Sequence, residues 1–166
     1  MGFLGRLLGR TDAPRHRLSV CAVHAGGLLG IVGEGPRQDA LSQVAKTATD
    51  AAPFIGDLTD YALEVAHAEP DRRWFRAILV REPTNPYDSN AIAVYAEGGQ
   101  QIGYLSREDA LSYGRVFEAL GKRSYDGAAC PAMLTGGGEK YFGVVLAISS
   151  PGHAMGDLHD TDRASG

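Results

Sequence analysis

The sequence predicts a mainly β fold, a small barrel with two helices appended to it. Most apolar residues fall in short segments of alternating polarity, and turns rich in Gly and Pro separate these segments. Beyond the first 15 residues, two stretches, within residues 39–49 and 106–121, repeat apolar residues at helical spacing. At 166 residues the chain can bury one core and is too short for two ordinary domains. One barrel domain with two helices accounts for these three observations.

Seven strands are predicted; the first helix and the insertion 50–73 separate the second strand from the third, and the second helix separates the fifth from the sixth. The strands are residues 17–24, 28–33, 74–81, 91–95, 101–105, 128–134 and 141–148. Leu41, Val44 and Ala48 share one face of the first helix. In the second helix Ser106 is the predicted N-cap, and Gly121 marks the end. Pro131 belongs at a sheet edge, because it has no N–H to donate to a ladder.

The chain divides into three parts by composition. Residues 1–15 form a basic and apolar segment. It is compatible with a frayed terminus or a helix packed on a neighbouring element, and alternatively with a weak membrane-surface or partner contact. Residues 16–150 form the barrel domain, and the polar residues 151–166 predict a disordered tail. Within the domain, residues 50–73 resemble an insertion, in which positions 61–67 alternate like an edge strand.

Composition also limits the classes of function. The formal net charge is −4, which excludes a broad electrostatic surface for nucleic acid and leaves room only for local contacts. Two cysteines, Cys21 and Cys130, are too few for a disulfide framework and indicate a reducing compartment. No apolar run is long enough to span a bilayer, and the N-terminal residues match neither a secretory signal nor a myristoylation site. We therefore expect a cytoplasmic protein.

The most distinctive stretch runs from Arg81 to Leu105 and reads REPTNPYDSNAIAVYAEGGQQIGYL. Pro83 and Pro86 fix their own φ angles and move the residues before them out of helical conformation. A turn this stiff is ordered at little entropic cost, so the side chains at its tip are held on a rigid support. It presents Tyr87 and the neighbouring carboxylate side by side.

The pattern Glu-Pro-x-Asn-Pro-Tyr-Asp-x-Asn-Ala-Ile-x-Val, followed by Ile-Gly-Tyr-Leu, resembles the signature of the HIRAN domain. In that family the module is fused to Swi/Snf-type fork-remodelling helicases and also occurs alone in bacterial proteins. The resemblance implies an OB-like β-barrel that captures the 3′ end of single-stranded DNA. It also implies a role in DNA repair or replication-fork processing, with a DNA-processing protein as a further partner.

Two residues at the tip of the turn are the first site candidates. Tyr87 either stacks a nucleobase, as exposed aromatics do, or packs its ring against the barrel. Asp88 either accepts a hydrogen bond from a terminal 3′-hydroxyl, while repelling a 3′-phosphate, or caps backbone amides near Asn90 in an Asx turn. The resemblance implies stacking for Tyr87 and 3′-hydroxyl recognition for Asp88.

Four further residues complete the expected DNA-binding set. Asn85 is expected mainly to stabilise the turn and in addition to lie near the DNA, and the resemblance implies that Tyr104 contacts DNA backbone or base. Arg107 either binds a phosphate together with the amides of a helix N-terminus or is an ordinary solvated arginine. Arg37 stands where relatives commonly carry a second stacking aromatic, so it is expected to stack its guanidinium or to bind phosphate.

Catalytic and metal-dependent functions have little support in the residue pattern. Cys21 and His24 have ligand spacing, but residues three apart on a strand point to opposite faces, so no metal site is predicted. No arrangement of nucleophile and base stands out, and no cofactor motif is complete, so we expect no enzyme and no cofactor. The alternative function is a protein-interaction or structural module that has kept the barrel and lost DNA binding. The acidic charge and the missing aromatic near Arg37 favour that alternative.

Overall fold

The computed structural model describes residues 18–164, with side chains described as far as residue 159. The strands within this range are β1 Val20–Ala22, β2 Leu28–Gly30, β3 Arg73–Arg81, β4 Ile92–Ala96, β5 Gln101–Tyr104, β6 Gly127–Gly137 and β7 Lys140–Ala147. The α-helices within it are α1 Gln38–Thr47, α2 Asp60–Ala68, α3 Arg107–Lys122 and α4 Pro151–Ala164. The predicted segment 1–15 lies outside the described residues.

The strands form one curled sheet in the order β2-β7-β6-β3-β4-β5, with antiparallel neighbours throughout. Its two edges meet where Val32, just past β2, bridges Tyr104 on β5. The Val32 N–H donates to the Tyr104 carbonyl at 2.8 Å, and the Tyr104 N–H donates back at 2.9 Å. This bridge places the end of β5 beside the segment that follows β2.

The longest strand, β6, changes its outer neighbour part-way along its length. Its first residues pair in parallel with β1, through Ala129, and from Ala132 onward it pairs antiparallel with β7. Pro131 lies in this gap and pairs only with Arg76 of β3 on the other side. The predicted edge position for Pro131 is therefore wrong. A central strand accommodates proline where the ladder on one side is interrupted.

Successive side chains of β3 point to opposite faces of the sheet and so belong to two different apolar clusters. Phe75, Ala77 and Leu79 point into the main core, which also receives one face each of α1, α3 and α4. Trp74, from the opposite face of β3, is fully buried in a second cluster with residues of α2 and of the loop before it. The sheet therefore has helices packed against both faces.

The prediction of a mainly β fold is confirmed, but the prediction of two helices is wrong, because the described residues contain four. Helix α2 replaces the predicted edge strand at residues 61–67. Its buried positions are Ala62 and Ala66, four residues apart, whereas Tyr61 is exposed. The alternation of larger apolar residues was therefore misleading, since small alanines define the buried face.

Helix α4 covers residues 151–164 of the tail 151–166 that was predicted to be disordered, and the last two residues lie outside the described range. Ala154 and Leu158, again four residues apart, are buried in the main core. Two apolar residues in a polar segment are a weak indication of a helix in the sequence. The helix is stabilised mainly by its packing against the core. None of the helices in the described range is both long and apolar enough to cross a bilayer.

Candidate functional site

The turn between β3 and β4 is held by its own side chains. The Asn85 carboxamide oxygen accepts hydrogen bonds from the backbone N–H of Tyr87 at 2.9 Å and of Asp88 at 3.2 Å. One Asp88 carboxylate oxygen, Oδ1, accepts from the Asn90 N–H at 2.9 Å. These are Asx-type contacts, in which a short polar side chain replaces a backbone partner. Together with the two prolines they hold the turn in one conformation.

The side chains at the tip of the turn differ in their exposure. The Tyr87 side chain is 88% exposed, so its ring does not pack against the barrel. Asp88 is partly buried, and no group in the described part of the chain donates a hydrogen bond to its second oxygen, Oδ2. An aromatic face and a carboxylate oxygen are therefore both available to a ligand on this turn.

A buried carboxylate lies under the turn. Glu82 is only 7% exposed, and its Oε2 accepts from the Tyr104 hydroxyl at 3.1 Å and from the Asn85 amide nitrogen at 3.4 Å. Both backbone polar groups of Glu82 also form hydrogen bonds: its N–H donates to the Ala91 carbonyl, and its carbonyl accepts from the Asn85 N–H. Glu82 therefore connects the base of the turn to the end of β5.

These elements enclose an open groove with a volume of about 400 Å³. Its aliphatic lining comes from Val32, Ala91 and Leu105, which lie next to β2, β4 and β5, and its other lining residues are aromatic or polar. The lining residues are Val32, Asn85, Tyr87, Asp88, Ala91, Tyr104, Leu105 and Arg107. The groove depends on the Val32–Tyr104 bridge, because both partners of that bridge contribute to its lining.

The beginning of α3 borders the groove. Ser106 caps the helix, accepting a hydrogen bond from the Asp109 N–H at 3.1 Å, as its spacing predicted. The first backbone amides of a helix have no partner within the helix and attract anions. The exposed Arg107 adds a positive charge at this end, while the carboxylates of Glu108 and Asp109 in the same turn oppose it.

Arg37 lies beside the groove and not in its lining. Its guanidinium carbon is 5.4 Å from the centre of the Tyr104 ring, a cation–π contact. It also donates to the Gly33 carbonyl at 2.7 Å. The Arg37 guanidinium is thus held by two contacts within the protein, beside the rim of the groove.

The Tyr104 hydroxyl is held in its protonated form. Burial raises the pKa of Tyr104 above its ordinary value, and the Glu82 charge and hydrogen bond raise this pKa further. A hydrogen bond with Gln101 and the positive charge of Arg37 act in the opposite direction. The result is a phenol that donates to Glu82 throughout the physiological pH range.

Five of the six predicted site residues line this one groove, and the sixth, Arg37, contacts one of the five. Sequence reasoning assigned no role to Glu82, although the residue stands in the quoted signature immediately before Pro83. The signal in the sequence that could have indicated Glu82 is a carboxylate at the end of an apolar strand. Val32 was also not predicted as a site residue, because it reaches the groove only through its bridge to β5.

Comparison with known proteins assigns this region to a family. The family model for the HIRAN domain matches residues 76–126, which include most of β3, the turn, β4, β5 and all of α3. This part of the chain is therefore similar to a HIRAN domain. Members of this family are known as nucleic-acid-binding modules. The match includes Asn85, Tyr87, Asp88, Tyr104 and Arg107, whereas Arg37 and Val32 lie before it.

A curated relative supports the assignment over a shorter range. The helicase-like transcription factor of Oryctolagus cuniculus is 48% identical to this chain over 40 residues. This segment is 24% of the chain and only 4% of the relative, so the likeness concerns one part of the chain. No solved structure matches the chain.

Proposed function

We propose that this HIRAN-like domain is a binding module, without catalytic activity, for the free 3′-hydroxyl end of single-stranded DNA. One observation carries the proposal: a fully presented Tyr87 ring and a partly buried Asp88 carboxylate share a rigid turn at the edge of one groove. An aromatic face suits a terminal nucleobase, and a hydrogen-bond acceptor beside it suits the hydroxyl of the same nucleotide.

Tyr87 is proposed to stack the terminal base. Stacking on an aromatic side chain contributes roughly 1–3 kcal/mol per base and does not depend strongly on sequence. Because the side chain is 88% exposed in a turn fixed by Asn85, a base gains this contact without rearrangement of the protein. Such preorganisation lowers the entropic cost of binding.

Asp88 is proposed to read the chemistry of the strand end. Oδ1 is engaged with the Asn90 N–H, which fixes the carboxylate plane and leaves Oδ2 to face a ligand. A 3′-hydroxyl can donate to this oxygen in a charge-assisted hydrogen bond. A 3′-phosphate or a continuing strand has no such donor and brings negative charge toward the carboxylate. The same residue therefore attracts one kind of end and repels the others.

The backbone of the strand is proposed to pass along the beginning of α3. Arg107 and the free amides of the first turn provide donors for a phosphate, and Arg37 reinforces the positive potential from behind Tyr104. Since the chain carries a net charge of −4, few phosphates are neutralised, and binding should depend only modestly on salt. Such a module would bring a DNA-processing partner to strand ends during repair or replication-fork processing.

The test is fluorescence anisotropy at low salt, with short single strands that end in a 3′-hydroxyl or a 3′-phosphate. We expect the wild type to bind the hydroxyl end about tenfold tighter or better, and the Asp88→Asn variant to lose most of that preference. Asp88→Asn retains an acceptor for the Asn90 N–H, so the turn is expected to stay folded. Equal affinity of the wild type for both ends would exclude end capture.

A second candidate function is recognition of an extended peptide in the same groove. It is favoured by the apolar lining, in which Val32 is 45% exposed, and by the carboxylates of Glu108 and Asp109 beside Arg107. Absence of binding to any single strand at high protein concentration, with the chain fully folded, would favour this candidate over the first.

A further inference from the structure

A second constellation of polar side chains lies away from the groove, where α4 packs beside the segment after β1. His153 and Asp157 are four residues apart on α4, so they share one face of the helix. His24 approaches that face from beyond the end of β1, which stops at Ala22. One ligand atom from each of the three residues lies within 4.8 Å of the others.

The carboxylate lies between the two imidazoles. Asp157 Oδ2 is 3.9 Å from His24 Nδ1, and Asp157 Oδ1 is 3.8 Å from His153 Nε2. Both distances are longer than hydrogen bonds. The two imidazole rings are stacked, with their centres 4.7 Å apart and an angle of 22° between their planes. Three side chains with potential metal-ligand atoms thus converge at one place.

The orientation of His24 is set by a neighbouring hydroxyl group. Thr59 Oγ1 and His24 Nε2 are 2.7 Å apart. If the imidazole donates its Nε2–H to this hydroxyl, the Nδ1 lone pair faces Asp157. Metal-binding histidines are commonly held in this way by a hydrogen bond to the ring nitrogen that does not bind the metal. Asp60 Oδ2, 3.9 Å from the same Nε2, reinforces this tautomer.

A small cavity of about 60 Å³ adjoins the constellation. It is lined by residues of β1, the following segment and α4, namely Cys21, Ala22, Val23, His24, Ala154, Asp157 and Leu158. His153 does not line this cavity, whose volume suffices for a water molecule beside His24 and Asp157, since a water occupies about 30 Å³. The side chains of His24 and Asp157 are 30% and 44% exposed, and the side chain of His153 is more open, at 52%.

We propose that His24, His153 and Asp157 form a binding site for a divalent transition-metal ion of the zinc class. Two imidazoles and one carboxylate suit zinc and its first-row neighbours, whereas Ca²⁺ and Mg²⁺ prefer oxygen ligands alone. Ligands about 2 Å from a tetrahedral ion lie roughly 3.3 Å apart, so closure requires side-chain movements of about 1–1.5 Å. A water molecule would take the fourth position. The bound ion would join α4 to the segment after β1.

The test uses the full chain, purified without a histidine tag and freed of metal with a chelator. Calorimetric titration with Zn²⁺ should give one site with a dissociation constant in the micromolar range or tighter. The visible absorption of bound Co²⁺ should report tetrahedral coordination. We expect His24→Ala and His153→Ala each to weaken binding by about tenfold or more. His159→Ala, an exposed histidine on the same helix, should change it by less than about threefold.

Folding of the variants is checked independently, by far-ultraviolet circular dichroism and by the melting temperature without metal. In addition, Zn²⁺ should raise the melting temperature of the wild type and of His159→Ala, but not that of His153→Ala. The proposal is overturned if the wild type binds Zn²⁺ only at millimolar concentrations. It is also overturned if His159→Ala and His153→Ala lose affinity equally, because that result indicates scattered surface histidines.

Discussion

The hydroxyl of Tyr104 donates a hydrogen bond to Oε2 of Glu82 at 3.1 Å, which joins the end of β5 to the residue at which the turn begins. Glu82 also accepts from Asn85, whose other carboxamide atom holds the backbone of Tyr87 and Asp88. The position of the proposed stacking ring is therefore determined through a chain of hydrogen bonds that starts in the buried part of the sheet. Stability and binding should respond together when this chain is broken.

Removal of the Glu82 carboxylate tests this connection. Glu82→Ala leaves the Tyr104 hydroxyl and the Asn85 amide without their buried acceptor, which should lower the free energy of unfolding by about 1–3 kcal/mol. Urea denaturation followed by Trp74 fluorescence measures this change, and anisotropy should show weaker single-strand binding. Glu118→Ala, on the exposed face of α3, is the matched control. Equal effects of the two variants would contradict the role of Glu82.

The Tyr87 ring should contribute to binding without contributing to stability. Tyr87→Ala is expected to weaken single-strand binding by about 1–3 kcal/mol, since one stacked base is lost, and to change stability by less than about 0.5 kcal/mol. Tyr87→Phe should retain most of the affinity. Tyr61→Ala removes another exposed tyrosine, on α2 outside the groove, and should leave binding unchanged. An unaltered affinity in Tyr87→Ala would exclude stacking at this position.

Closure of the sheet depends on a small residue in β5. A Cβ at Gly103 would lie 2.5 Å from the Val32 carbonyl oxygen and 2.8 Å from the Ile31 side chain. We expect Gly103→Ala to separate the two edges, to cost about 1–3 kcal/mol of stability, and to weaken ligand binding at the groove. Gly30→Ala is the control, because nothing lies within 4 Å of a Cβ there. Equal melting temperatures for the two variants would contradict tight packing at the bridge.

Helix α4 should be part of the cooperative fold. Leu158 is 8% exposed and packs in the main core, so Leu158→Ala should lower the free energy of unfolding by about 2–4 kcal/mol. His159→Ala, one residue further along and exposed, should have little effect. Denaturation in urea measures both values. A change below about 0.5 kcal/mol in Leu158→Ala would indicate that α4 does not contribute to the core.

Stability should fall in alkaline solution through the ionisation of Tyr113. Its hydroxyl donates to the Ser149 carbonyl, and burial, aided by the Asp109 charge, raises its pKa to about 12. Because the folded pKa lies above the ordinary value of 10.0, the stabilisation is complete below pH 10 and is lost as the pH rises toward 12. We expect the urea midpoint of Tyr113→Phe to decline less over this range than that of the wild type. Parallel declines would contradict the assignment to Tyr113.

Local chemistry made the turn predictable. Pro83 and Pro86 restrict their own backbone and that of their predecessors, and Asn85 supplies a side chain of the right length for backbone amides two and three residues ahead. These effects act within a few residues of one another, so they can be inferred from the order of the amino acids. The exposure of Tyr87 follows from the same geometry.

Longer-range relationships were harder to predict. Residues 61–67 alternate in polarity, yet they form a helix because Ala62 and Ala66 bury a face against Trp74 and its neighbours. The tail forms α4 because the main core offers a surface to Leu158. Pro131 lies in a central strand because the outer neighbour of β6 changes at that point. In each case the deciding contact comes from a distant part of the chain.

The sequence by itself determined the mainly β character, the stiff turn and the identity of the residues at its tip, since these follow from backbone restrictions and hydrophobic periodicity. Only the tertiary structure decided that Val32 would meet Tyr104, that Glu82 would lie buried beneath Asn85, and that His24 would face α4. Those juxtapositions depend on how the sheet curls and which surfaces it leaves for helices. The curl of the sheet and the positions of its helices result from packing of the whole core, so no local sequence pattern specifies them.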